Sequence, residues 1–128
     1  MKNIKYRVWA IKNDCYLDME SGYFYLAPDG TFYEIYEMRN GKTDYNEVYA
    51  DVQFYTGLKD KNNKEIFEGD IVKFQGVLFV VSYNENEAHY ALQTMRCGKL
   101  ENDSILTSFI ASVGEVVGNV YQNGDLLK

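Results

Sequence analysis

Short alternating stretches separated by turn-forming pairs organise this chain from end to end. Residues 4–11 set Ile4, Tyr6, Val8 and Ala10 against Lys5, Arg7, Trp9 and Ile11, a period of two that predicts a β-strand. In residues 31–38, Phe32, Glu34, Tyr36 and Met38 share one face, while Thr31, Tyr33, Ile35 and Glu37 share the other. Shorter strands are predicted over residues 16–19 and Tyr23–Leu26, and one over residues 48–55 leads out of this half. The pairs Asn13-Asp14, Asp29-Gly30, Asn40-Gly41, Asn62-Asn63 and Asn123-Gly124 tolerate positive φ. They predict tight two-residue hairpin turns. Helical spacing is weak almost everywhere, so the pattern predicts a mostly β protein whose first half is a meander.

The second half opens with a predicted turn at Thr56-Gly57-Leu58, a charged hairpin tip over residues 59–64, and a brief strand at Glu65–Phe67. Glu68-Gly69-Asp70 predicts another turn, launching a strand over residues 71–75. Gly76 interrupts it, and residues 77–82 form a continuous apolar run suited to a strand buried on both faces. Further strands are predicted over residues 89–95, 105–111 and 115–121, followed by a short tail. Turn, Gly-Asp, strand, glycine and apolar strand are the succession of small closed barrels of the SH3-like kind, where glycines permit the bends. The expected architecture is one domain with two soft subdomains. A small antiparallel β subdomain over residues 1–52 packs on an SH3-like barrel over residues 53–128. Residues 84–103 read equally as a hairpin or a loop.

Composition narrows the function classes. A hydrophobic fraction of 46% with 16% aromatics suffices for a packed interior. No run of about 18 apolar residues exists, so no transmembrane helix is expected. The basic start is broken by Lys5, Arg7 and Lys12 and does not form a signal peptide, which places the chain in the cytoplasm. The net charge is −6, and splitting the chain after Val52 leaves −3 on each half. That balance disfavours direct binding to duplex nucleic acid.

Candidate chemistry is sparse. Cys15 and Cys97 form no CxxC pair, and with His89 as the single histidine no ordinary four-ligand zinc site can be assembled. The two cysteines read as small, partly buried apolar residues in a reducing compartment. Asp60, Glu65, Glu68 and Asp70 crowd one stretch but alternate with Lys59, Lys61 and Lys64, as a solvated hairpin does. Asp70, directly after Gly69, suits an Asx-type turn. Ser82, Ser104, Ser108, Ser112 and Cys97 surround His89 in sequence, yet none stands in a nucleophile-elbow frame. No glycine-rich phosphate cradle occurs.

Three segments carry a family resemblance. Residues 4–9 (IKYRVW) with Met19 beyond, residues 55–72 (YTGLKDKNNKEIFEGDIV) and residues 114–127 (GEVVGNVYQNGDLL) resemble, in order, the opening, the middle motif and the closing strand of the YopX family of small phage and prophage proteins. The middle motif is the specific one. The motif positions are Thr56, Gly57, Leu58, Asp60, Glu68, Gly69 and Asp70, with Gly118 and Asn119 near the end. Departures are Asn63 where the family tends to place Gly, and the absence of a Pro near Gly124. The resemblance implies a mostly β fold with an SH3-like element and a phage or prophage origin, and it brings no catalytic residues to carry over.

The tyrosines suggest the function. Nine of twelve lie at or before Tyr55, and both faces of the strand over residues 31–38 carry large side chains. Tyrosine combines contact area with a polar tip and is enriched at interfaces. The reading is a phage-derived, non-enzymatic protein-interaction module in the bacterial host cytoplasm, using Tyr23, Tyr25, Tyr33, Tyr36 and Tyr49 toward a protein partner or a second copy. The alternative is a nucleic-acid-associated accessory factor using Lys59, Lys61, Lys64 and Lys73. A hydrolase or transferase would need a deep pocket around His89 or the motif acids. No cofactor, metal or membrane partner is expected.

Overall fold

A computed structural model of the chain describes residues 4–128. Strands hold 55% of the described residues and helix 8%, a mostly β protein built of several antiparallel sheets, as the alternation predicts. The chain divides into two units, Lys5–Gln53 and, together with Ile4, Phe54–Lys128.

In the first unit, β1 (Tyr6–Ala10) pairs antiparallel with β2 (Cys15–Tyr16), setting Trp9 opposite Tyr16. Strands β3 (Tyr23–Leu26), β4 (Phe32–Glu37) and β5 (Thr43–Val48) form a three-stranded meander. Strand β6 (Ala50–Lys59) begins in this unit on the other side of β1 and continues into the next. Val8, Trp9, Ala10 and Phe32 are buried, and the Trp9 and Tyr16 rings meet edge-on at 4.9 Å. The Arg7 guanidinium lies 4.8 Å from the centre of the Tyr16 ring, and its Nε donates to Gln53 Oε1 at 2.8 Å. The Tyr16 hydroxyl donates to the same oxygen at 2.8 Å, so the buried Gln53 amide joins the two ends of this unit.

In the second unit, β6 pairs with β7 (Glu65–Phe67), with a register shift between Tyr55 and Lys59. Thr56-Gly57-Leu58 is therefore a bulge inside a strand rather than the predicted turn, with Gly57 at φ +87°. The Thr56 hydroxyl fixes it, donating to the Ile66 carbonyl at 2.7 Å and accepting from the Leu58 N–H at 3.2 Å. Strands β8 (Asp70–Phe74), β9 (Val77–Asn84), β10 (His89–Arg96), β11 (Lys99–Ile105) and β12 (Glu115–Asn119) make one sheet in the order β11-β10-β9-β8-β12. A helix, α1 (Ser108–Val113), lies between the last two strands in sequence. Ile66, Val72, Phe79, Val81, Leu92, Leu106, Ala111 and Val116 form the core on one face of the sheet. Ile71, Val80 and Ala91, which alternate to the opposite face, are buried too, so β9 is buried on both faces at its centre, Phe79–Val81, while Val77 at the start of the apolar run is exposed. The arrangement is a half-barrel; among the described residues no ladder joins β11 to β12 to close an SH3-like ring.

Residues 105–111 do not form the predicted strand. β11 ends at Ile105, Thr107 caps α1 by accepting the Ile110 N–H at 3.2 Å, and the Ile110 side chain packs on the core. The turns also differ in type. Asp29-Gly30, Asn40-Gly41 and Asn62-Asn63 each sit in a five-residue loop where only the second residue of the pair has positive φ. In each loop the first N–H donates to the fifth carbonyl, Ala27 to Thr31 at 2.8 Å, Met38 to Lys42 at 2.7 Å and Asp60 to Lys64 at 2.8 Å. The two-residue turns with positive φ at both positions are Gln75-Gly76 and Cys97-Gly98. Asn123-Gly124 opens a 3₁₀ turn instead of a hairpin. Residues 84–103 are the body of β10 and β11 with their connections.

The third loop stands apart from the other two through Asp60, its first residue. Asp29 and Asn40 each accept one loop N–H, from Thr31 and Lys42, at the surface. Asp60 is only 5% exposed and accepts three: Asn62 and Lys64 on Oδ1 at 2.9 Å each, and Val116 of β12 on Oδ2 at 2.8 Å. Next to it the Lys61 N–H donates to the Gly114 carbonyl at 3.0 Å. Burial opposes the Asp60 charge, but donation from Val116, Lys64 and Asn62, with the Lys64 charge, outweighs it and holds the carboxyl below the ordinary aspartate value.

Replacing Asp60 by Ala orphans a buried N–H and removes three charge-assisted hydrogen bonds, a loss of about 3–5 kcal/mol in urea unfolding. Because the folded-state pKa is depressed, the contribution is complete above the unfolded-state value of about 4 and is lost as pH falls through the folded value. Stability of the native chain therefore falls with pH in that acid window. Asp60→Asn flattens the fall; an unchanged slope would contradict the assignment.

Candidate interaction surface

The meander β3–β4–β5 owes its register to its two similar loops. Pairing sets Tyr23 opposite Ile35 and Ile35 opposite Tyr45, and, one step along, Tyr25 opposite Tyr33 and Tyr33 opposite Glu47. Because side chains alternate, Tyr23, Tyr25, Tyr33, Ile35 and Tyr45 stand on one face. Phe24, Leu26, Phe32 and Val48 stand on the other, where the Phe24 and Phe32 rings stack at 5.5 Å and Phe32 is buried. The tyrosine face is open: Tyr23 is 80% exposed, Tyr45 65% and Tyr25 52%.

These rings are ordered against one another. Tyr25 and Tyr33 stack at 6.4 Å with 27° between planes, and Tyr45 meets Tyr33 edge-on at 5.5 Å and 89°. With Ala27, Ile35, Thr43 and Asp44 they line an open depression of about 440 Å³. A second depression, of about 740 Å³, is lined by Lys12, Asn13, Leu17, Phe24, Glu34, Asn46, Glu47, Val48 and Tyr49. Neither is lined by His89 or by the motif acids.

The five tyrosines expected at the surface thus separate. Tyr23, Tyr25 and Tyr33 share a face; Tyr36 pairs with Asp44 on the opposite face, and Tyr49 follows β5 and borders the second depression. Ile35 and Tyr45 complete the cluster and were not singled out by sequence. The signal for Tyr45 is the period of two after Asn40-Gly41, masked because every second residue of β5 is polar and its tyrosine is isolated.

The motif residues take backbone partners. Glu68 Oε1 accepts the Phe54 N–H at 2.9 Å, and the Glu68 N–H donates to the Phe54 carbonyl at 3.0 Å. Asp70, buried, accepts the Phe67 N–H at 2.8 Å, three residues behind it. Gly69 bonds Val81 through its N–H and Val120 through its carbonyl, and Leu58 packs on the core. Asn119 Oδ1 accepts the Tyr121 and Gln122 N–H groups. A Cβ on Gly118 would stand 2.5 Å from the Asn123 side chain, so the close approach requires glycine.

The remaining candidates are dispersed. His89 contacts the Tyr90 carbonyl and Glu87 Oε2, each at 3.2 Å. Burial, then the Glu68 charge, pushes the Tyr90 hydroxyl pKa up. Lys61 lies 3.5 Å from Glu115, and Lys73 stands directly across the sheet from the same residue. Cys15 and Cys97 are free and exposed, not partly buried, because both fall at strand ends beside turns. Among the described residues no three His, Cys, Asp or Glu side chains are grouped to hold a metal ion. Among the same residues no helix is long and apolar enough to cross a membrane.

Removing exposed rings should leave the fold intact. Tyr23→Ser and Tyr45→Ser are each expected to change unfolding free energy by no more than about 0.5–1 kcal/mol, against about 3–5 kcal/mol for Phe32→Ala on the other face. Thermal and urea unfolding of the three variants checks this.

Similarity to known proteins concerns family and fold. No curated protein matches the chain. The crystal structure of protein EF1440 from Enterococcus faecalis is similar over 100% of both chains, with a TM-score of 0.50 at 20% identity, a likeness of fold. The YopX protein family matches residues 5–128, which take in all three segments whose order suggested it except Ile4, and the chain belongs to that family.

Proposed function

We propose that this chain is a non-enzymatic protein-interaction module acting in the bacterial cytoplasm, with the face of Tyr23, Tyr25, Tyr33, Ile35 and Tyr45 as its docking surface. The observation that carries the reading is an open aromatic face on a sheet whose other face already holds the buried Phe32. Ordered rings exposed to water lose little freedom on contact, because each has few rotatable bonds. A contiguous apolar patch on a surface marks a contact site more often than an accident of packing.

Two further observations support a non-enzymatic role. Asp60, Glu68 and Asp70 are engaged with backbone N–H groups, so their oxygens hold the chain rather than face a substrate. His89 is engaged at both ring nitrogens by groups within two residues. The nucleic-acid alternative is less favoured, since Lys61 and Lys73 both stand beside Glu115 and Lys64 lies close to the Asp60 charge.

Site-specific photocross-linking in bacterial cells tests this reading. A photoreactive phenylalanine analogue at position 23 or 45 should give discrete protein adducts, and the same analogue at position 121, in the other unit, should not. An adduct of twice the chain's mass would identify the partner as a second copy. Adducts at 121 with none at 23 or 45 would overturn the docking assignment.

A further inference from the structure

The depression beside Tyr33 has the make-up of a cation site. Tyr25, Tyr33 and Tyr45 present ring faces and edges at two nearly perpendicular orientations. Asp44 borders the hollow but alternates to the Tyr36 face, its carboxylate accepting the Tyr45 N–H at 2.8 Å. Glu47 stands opposite Tyr33 on the strand pairing, Glu37 shares that face, and both acids are exposed. Within the meander, residues 23–48, the basic residues are Arg39 and Lys42, both in the β4–β5 loop at one end. Ring faces carry negative quadrupole potential, so carboxylates around them deepen the attraction for a cation instead of competing with it. The chain already uses this contact in the Arg7 guanidinium over Tyr16.

We infer that this face receives arginine side chains from an extended basic segment of a partner protein, a conclusion that rests on the face being a docking surface. Arginine suits it better than lysine, because a planar and weakly hydrated guanidinium stacks on a phenol ring while its N–H groups reach a carboxylate. A hollow of about 440 Å³ admits one or two such side chains, and an extended segment alternates its side chains so that every second one faces the sheet. A second copy of the chain fits less well. Its own acids would oppose Glu37 and Glu47, and the chain's net charge is −6. The exposed parts of Tyr23, Tyr25 and Tyr45 amount to roughly 400 Å², about half of the area each partner gives to a stable interface. A single-stranded nucleic acid would bring phosphates to the same acids.

NMR titration of the full-length chain tests the inference. The probes are a ten-residue peptide of alternating arginine and threonine, its lysine and glutamine counterparts, and a single-stranded oligonucleotide. The arginine peptide should shift the Tyr25, Tyr33 and Tyr45 resonances saturably, with the lysine peptide severalfold weaker and the glutamine peptide at least tenfold weaker. Tyr45→Leu keeps apolar area and removes the ring, and should weaken the arginine peptide about tenfold. Glu37→Gln with Glu47→Gln should weaken it about fivefold. Equal binding of the glutamine and arginine peptides, no effect of Tyr45→Leu, shifts elsewhere, preference for the oligonucleotide, or no binding would each overturn the cation assignment. Cross-links at positions 23 and 45 that persist after such a result would keep the docking surface and discard only the arginine; their absence would discard both.

Discussion

Buried backbone N–H groups must find an acceptor, and in the second unit the Asp60 carboxylate is the acceptor on which the rest turns. It sits at the tip of the β6–β7 hairpin yet reaches Val116, 56 residues later, at the start of the last strand. One charged group thereby fixes a loop and ties it to the far edge of the sheet. Its neighbours extend the same device. Lys61 bonds Gly114, Glu68 bonds Phe54, and Gly69 bonds both Val81 and Val120. The middle motif of the family is thus a set of backbone anchors, and its acids lie close in sequence because successive strand ends need them.

That placement explains how motif and function come apart. A dense acidic stretch invites a catalytic or metal-binding interpretation, but Asp60, Glu68 and Asp70 each already accept backbone N–H groups, which leaves them less for a ligand. The tyrosine face has the opposite character. Its side chains contact mainly one another, and the sheet beneath them is held by loops and by Phe32 on the reverse side. Residues that fold the chain and residues free to contact a partner therefore occupy different segments.

Local signals in the sequence identified the mostly β character, the doubly buried centre of β9 and the positions of the loops at Asp29-Gly30, Asn40-Gly41 and Asn62-Asn63. Turn types were less legible. A glycine or asparagine at the left-handed position serves both a five-residue loop and a two-residue turn, and only the partner strand's register separates them. Gln75-Gly76 and Cys97-Gly98 escaped because their first residues are not the usual ones for positive φ; the flanking strands impose it. The α1 helix was hidden by β-branched and aromatic residues over positions 105–111, whose intrinsic preference yields to the Thr107 cap and to Ala111 and Ile110 packing on the core. Tyr23, Tyr25 and Tyr33 were legible as a surface; Tyr45 was not, because it joins them only across the sheet.

Native-state amide hydrogen exchange tests the role of Asp60 most directly. The loops at residues 27–31, 38–42 and 60–64 share one hydrogen-bond pattern, but only the third is tied to a distant strand. The account predicts that the Lys64 and Val116 amides exchange as slowly as the β8–β9 ladder, opening only with the whole unit. The Thr31 and Lys42 amides, bonded to Asp29 and Asn40 at the surface, should exchange at least about a hundredfold faster. Equally fast exchange at Lys64 and Val116 would contradict the claim that Asp60 holds this unit together.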